Sequence, residues 1–251
     1  MRPRVRSTLS ATVLVAAALM SGCGDDGDGG GGGDGGSDFT EQTADEISDA
    51  AKDAMAGLTG VSIDGSLSSD GQEIEIAMAV GEGGNCSGSF STQGATAEIL
   101  GVDGTTWFRP DAAFWDLFAG PEAGPQIVAA AGDRWVTLPD DDTSFKPFCD
   151  LEEFLGELTD SDGSDDATYT KGETKEIDGE ETIEIISERP EEGTSSGYVL
   201  VEGDHYLVSI VKEEGEDPGE VTFSGFDEQP DVEAPAEDEQ IALEDLESGA
   251  Y

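Results

Sequence analysis

Four side chains in this sequence have the chemistry to act as nucleophile, base or soft metal ligand: Cys23, Cys86, Cys149 and the single histidine, His205. Nucleophilic catalysis needs a base beside the serine or cysteine that attacks. The one imidazole follows the turn residues Gly203 and Asp204 at the start of a strand-like run, and no GxSxG elbow precedes a helix anywhere. Carboxylates are so abundant, with 58 Asp and Glu, that a neighbouring pair carries no weight for glycosidase chemistry. No P-loop or dinucleotide fingerprint is present. The reading is therefore non-catalytic, with no catalytic residue, no cofactor and no metal site. "DSDGSDD" at 160–166 and the Asp residues after Cys23 lack the ligand spacing and the closing bidentate Glu of a calcium loop.

The cysteines differ in context. Cys23 ends a three-part N-terminus: "MRPRVRS" with three arginines, the apolar "TLSATVLVAAALM", then Ser21 and Gly22. The apolar run is shorter than the roughly 20 residues of a spanning helix and reads as a secretory signal peptide over 1–22. "MSGC" resembles a bacterial lipobox, which implies cleavage before a diacylglyceryl cysteine; Met20 stands where Leu, Val or Ile is usual. The alternative is an ordinary cleaved signal that leaves Cys23 as a free thiol. Residues 23–38 follow as a Gly/Asp tether, which cannot pack and whose carboxylates repel. About fifteen such residues span roughly 20 Å, enough to hold a domain off a membrane surface.

With Cys23 assigned to lipid, Cys86 and Cys149 are most simply read as one disulfide of an exported domain. A reactive or metal-binding pair is the alternative, without a CxxC to support it.

Charge narrows the partners. The whole chain carries −47 at pH 7; without Arg2, Arg4 and Arg6 it keeps 8 basic against 58 acidic side chains, a net of −50. Long-range forces then oppose binding to nucleic acid or to an anionic lipid surface, so lipid binding would have to rest on the apolar part of the ligand.

The elements that must position anything are read from periodicity. "TEQTADEISDAAKDAMAGL" carries capping signals and places Ile47, Ala51, Met55 and Leu58 on one helical face. "VSIDGSL" and "EIEIAMAV" alternate around the turn "SSDGQ", and "CSGSFS", "TAEILGV" and "TTWFRP" continue as short strands. "PDAAFWDLF", "GPQIVAAAG" and "FCDLEEFLGEL" read as helices around the short strand "DRWVTLP", after which "TKEIDGEETIEIISE", "SSGYVLVEG", "HYLVSIVKE" and "GEVTFSGF" return to strand. Strands, then helices, then strands predict an α+β domain over 39–229: a single antiparallel, strongly curved sheet with two to four helices packed on its concave side. Residues 230–251 are acidic and Pro-containing and are expected to be mostly disordered, with "IALEDL" as a transient helix.

The hairpin "GSLSSDGQEIEIAMAV", with "GGNCSGSFS", "AEILGVDGTTWFRPDAAFWD" and "GDRWVTLP", resembles actinobacterial lipoproteins of the LppX/LprG type and, more distantly, the LolA carriers. The resemblance covers about 42–226 and rests on element order. It implies a half-barrel whose apolar cavity carries a lipid or glycolipid on the extracytoplasmic face of the cell membrane, anchored through Cys23 and acting as a monomer. The candidate cavity lining is then Ile74, Ile76, Met78, Val80, Ile99, Trp107, Phe114 and Trp115, with Tyr198, Leu200, Leu207 and Val211 from the late strands. Periodicity does not separate residues that line a cavity from residues that fill a core. A structural or interaction lipoprotein with a filled core remains the competing expectation.

Overall fold

In the computed structural model, residues 35–69, 71–159, 167–190, 193–213 and 218–248 are described. The signal segment, Cys23 and most of the tether lie outside these residues, as does "DSDGSDD".

The N-terminal elements are set by capping and an apolar stripe. Helix α1 (Gly35–Glu41) leads into α2 (Ala44–Ala56), whose start is a reciprocal capping box: the Thr43 hydroxyl accepts from the Glu46 N–H and the Glu46 carboxylate accepts from the Thr43 N–H. Ile47, Ala51 and Met55 are buried along α2, and Leu58 is buried just beyond it. Helix α1 begins inside the expected tether, so residues 35–38 are helical rather than coil. The reason is Phe39, 3 % exposed, which packs under the sheet and holds that turn.

Strands β1 (Gly60–Ser69), β2 (Gln72–Gly81), β3 (Cys86–Thr92), β4 (Ala95–Val102) and β5 (Thr105–Pro110) form an antiparallel meander. The β3–β4 and β4–β5 turns place two consecutive residues at positive φ, Gln93-Gly94 and Asp103-Gly104. That backbone twist suits two-residue hairpins and favours Gly at the second position. Helix α3 (Ala112–Ala131) is capped by Asp111, whose carboxylate accepts from the Phe114 N–H at 2.7 Å, and it breaks at Gly120. Strand β6 (Trp135–Thr137) and helix α4 (Leu151–Thr159) complete the middle of the chain. Strands β7 (Thr168–Ile177), β8 (Glu180–Arg189), β9 (Gly193–Leu200), β10 (Leu207–Lys212) and β11 (Gly219–Ser224) form a second meander, and β11 pairs with β1.

The expected disordered tail takes a different form in its described part. Strand β12 (Gln240–Ala242) pairs with β6 in parallel, and helix α5 (Leu243–Ser248) follows. Ile241 and Leu246 are 7 % and 6 % exposed, in a cluster with Phe108, Trp115, Ala131 and Val136. Acidic composition concealed two apolar side chains that find a hydrophobic partner a hundred residues away. The result is one open, strongly curled sheet of twelve strands among the described residues, with order β12-β6-β5-β4-β3-β2-β1-β11-β10-β9-β8-β7. It is mixed rather than purely antiparallel because of the β12–β6 pair, and five α-helices accompany it among the described residues. Directly opposed residues share a face, so the pairings Val61↔Val80↔Cys86, Gly65↔Ile76↔Phe90 and Ile99↔Phe108↔Val136 define one inner face, which carries the core.

Asp227, at positive φ just past β11, fastens the two meanders. Its carboxylate accepts from the Thr59 N–H at 2.9 Å and from the Tyr206 hydroxyl at 3.0 Å, and these bonds hold its pKa below the ordinary carboxylate range. A depressed folded-state pKa stabilises the fold above the unfolded value, and that contribution disappears as pH falls through the folded value. Asp227→Asn should therefore flatten the acid limb of the melting curve below about pH 4 relative to the native chain. Thermal melts of both across pH 2–6 test this; parallel limbs would contradict it.

Candidate functional site

Three apolar clusters cover most of the inner face. One joins Met55, Ile63, Met78, Val80, Ile99 and Phe154 around the Cys86–Cys149 disulfide, whose Cα atoms are 5.1 Å apart. The second is the aromatic group of Phe108, Phe114 and Trp115 under β12 and α5. The third packs Phe39, Ile47 and Ala51 of the N-terminal helices on Ile183, Ile185, Val199 and Val201.

Between the first and third clusters the packing is incomplete. A cleft of about 120 Å³ lies under α2, over β8, β9 and β10. Its deep part is apolar: Ala51 and Met55 above, with Ile185, Val199, Leu207 and Ile210 below. Gly197 contributes no side chain to this floor, and a Cβ there would come within 3.1 Å of Leu207 Cδ1. The polar end is set by the period of β8, on which Ile183, Ile185, Ser187 and Arg189 alternate onto one face. Tyr169, Ser187 and Ser195 lie in one cross-strand row, since Tyr169 pairs with Ser187 and Ser187 with Ser195. From the helix, Ser48 and Lys52 join them, and the Lys52 ammonium donates to the Tyr169 hydroxyl at 3.3 Å.

A second, wider groove of about 1220 Å³ runs along the other flank of α2, towards α4. Its walls bring Asp49, Asp53, Glu82, Asp150 and Glu152 together with Lys52, Lys146, Ala56, Leu58, Leu151 and Leu155. Five carboxylates on the walls of an open groove favour water over an acyl chain, whereas the smaller cleft has a described lining without a carboxylate, so the smaller cleft is the candidate site.

The twelve residues named from the sequence distribute unevenly. Ile76, Met78, Val80, Ile99 and Leu207 belong to or pack on the first cluster, Phe114 and Trp115 belong to the second, and Ile74 is half-buried on the same inner face opposite Leu67. Trp107, Tyr198, Leu200 and Val211 point to the opposite face: their register partners are Leu100, Glu184, Thr182 and Glu220. Trp107 is nonetheless 5 % exposed, and its indole N–H donates to the Gln240 side chain at 2.9 Å. Tyr198 lies outside because its hydroxyl donates to Glu184 and the Lys175 ammonium sits 3.4 Å above its ring. Of the twelve, only Leu207 lines the cleft. Lys52, Ile185, Ser187, Arg189, Gly197 and Ile210 were missed, although Arg189 is in phase with Ile183 and Ile185, and Lys52 sits four residues after Ser48 on the helix face that carries Ala51 and Met55.

His205 has a structural environment. Its ring stacks on Phe39 with centroids 3.6 Å apart, and its Nδ1–H donates to the Leu200 carbonyl at 3.0 Å. No cluster of three or more His, Cys, Asp and Glu able to hold a metal occurs among the described residues, and no helix among them is long and apolar enough to cross a membrane.

The fold is similar to that of LprF from Mycobacterium bovis: 14 % identity over 77 % of this chain and 97 % of that one, with a TM-score of 0.54. The fold is the LppX/LprG-type, LolA-like half-barrel. Lipoprotein LppX from Mycobacterium tuberculosis is a more distant match, also 14 % identical, over 76 % of this chain and 98 % of that one, with a TM-score of 0.44. No family model and no curated protein matches the sequence. In this half-barrel the helix over the cleft is α2.

Proposed function

We propose that this half-barrel is an exported lipoprotein, anchored by a lipidated Cys23, that binds an amphiphile by burying its acyl portion between α2 and the β8–β10 floor, without catalysis. The observation that carries this reading is the cleft itself: an unfilled apolar floor, kept open by Gly197, under a helix attached to it mainly through side-chain packing. Apolar burial supplies the drive. Hiding roughly 300 Å² of acyl surface would contribute about 7 kcal/mol before ordering costs. The space of about 120 Å³ gives room for part of an acyl chain.

The reading is tested on residues 23–251 carrying Cys23→Ser, secreted and purified without detergent. Organic extracts and native mass spectra should reveal copurified lipid, and a fluorescent acyl probe should bind. Gly197→Leu, which fills the floor against a movable Leu207 end, should lower probe affinity at least about tenfold while the protein stays folded. Absence of lipid together with no probe uptake would sink the carrier reading. That result would favour a scaffold with a closed core, a reading supported by the three packed clusters over the rest of the inner face.

A further inference from the structure

Charge on this chain is so lopsided that the position of each cation is informative. Beyond Arg6 there are eight Lys and Arg against 58 Asp and Glu. Five of the eight are engaged away from the cleft. Arg109 pairs with Glu98, Arg134 donates to the end of α3, Lys146 pairs with Asp140, Lys171 donates to the carbonyls of Thr40 and Gln42, and Lys175 covers Tyr198. Two others, Lys52 and Arg189, line the same small cleft, whose described lining includes no Asp or Glu; Lys52 also borders the wider groove beside Asp49 and Asp53. They come from separate elements 137 residues apart in sequence, so the fold and not a local basic run brings them together. Between them sit hydroxyl groups, among which Ser187 Oγ is buried, in a residue only 9 % exposed, without a hydrogen-bond partner among the described residues. A buried donor left unsatisfied is costly, and a ligand oxygen would remove that cost.

We propose that, granted the amphiphile-binding reading above, the ligand has an anionic headgroup of the phosphate or carboxylate class, held at the mouth by Arg189 and Lys52 with Ser187 as a neutral donor, its acyl chain running inward towards Ile185 and Ile210. Cations and a hydroxyl presented together make charge-assisted hydrogen bonds to such oxygens. The strongly negative surface does not contradict this. Its field lowers the rate of encounter with an anion, whereas the contacts inside a desolvated cleft set how long the ligand stays. The charge of the whole molecule and the charge at the site thus have opposite signs.

The test holds the acyl chain constant and varies the head. Residues 23–251 with Cys23→Ser are titrated at fixed ionic strength with lysophosphatidic acid, lysophosphatidylcholine and monoacylglycerol of one chain length, and separately with inorganic phosphate. Lysophosphatidic acid should bind at least about tenfold more tightly than monoacylglycerol. Arg189→Gln with Lys52→Gln should abolish that difference, read as the ratio of the lysophosphatidic acid and monoacylglycerol affinities within the variant. Equal affinity for all three heads would overturn the anionic assignment and leave the amphiphile reading standing. Failure of all three would overturn both. Inorganic phosphate bound as tightly as lysophosphatidic acid would show that the site serves a free anion, which also overturns the proposal. An unchanged head preference in the double variant would remove Arg189 and Lys52 from it.

Discussion

Ending the chain after Pro235 should cost the domain several kcal/mol. The missing residues include Ile241 and Leu246, both at least nine-tenths buried against Phe108, Trp115, Ala131 and Val136. Truncation of one such aliphatic side chain costs about 2–5 kcal/mol. Trp107 and Thr137 would also lose Gln240, whose side-chain oxygen accepts from both, and β6 would lose its parallel partner. Against a typical domain stability of about 5–15 kcal/mol, this is a large fraction. Urea unfolding of residues 23–235 and 23–251, both with Cys23→Ser, measures it, with Ile241→Ala and Leu246→Ala as single steps of smaller size in the same direction. Coincident transitions for the short and long chains would show that the last sixteen residues add nothing. The same packing means that binding assays need the chain through Ser248.

Removing the disulfide is the second large effect expected. The bridge spans 63 residues and joins β3 to the turn before α4, with both cysteines almost fully buried. In the loop-entropy account a closure of that length is worth about 4 kcal/mol, because the reduced unfolded chain regains the freedom the bridge removed. The Cys86→Ala/Cys149→Ala pair should therefore shift the urea midpoint strongly downward. Hydrogen exchange should accelerate most over residues 141–156, which the bridge ties to the sheet. Packing around the bridge is tight: a Cβ at Gly101 would lie 2.5 Å from the Gly84 carbonyl and 3.0 Å from both sulfurs. A double variant as stable as the native chain would contradict the prediction.

The half-barrel was legible in the sequence wherever polar and apolar residues alternate cleanly. In "EIEIAMAV" the glutamates at 73 and 75 fix the phase, and the structure puts Ile76, Met78 and Val80 on the inner face. Where apolar residues run consecutively, phase is not encoded locally. "YVLV" fits either set of alternate residues, and the choice of Val199 and Val201 over Tyr198 and Leu200 is made by pairing: Val199 lies opposite Ile183, while Tyr198 meets Glu184. "TTWFRP" has the same ambiguity, resolved when Phe108 pairs with Ile99 and Val136. The cleft was less legible still. Each of its polar groups is a single residue on an otherwise ordinary element, and only the curl of the sheet beneath α2 joins Lys52 to Arg189.

The ends of the sheet carry a consequence for self-association. An exposed strand edge is a template on which a second chain can add, and both edges here are poor templates. One is β12, three residues long and followed at once by a helix. The other, β7, is longer but presents exposed Lys171, Glu173, Lys175 and Glu176, and its ladder slips between Lys171 and Thr174, where the strand bulges. A sheet of twelve strands left open would otherwise invite fibrillar stacking. Short length at one border and charge with a bulge at the other keep it from growing past its own chain.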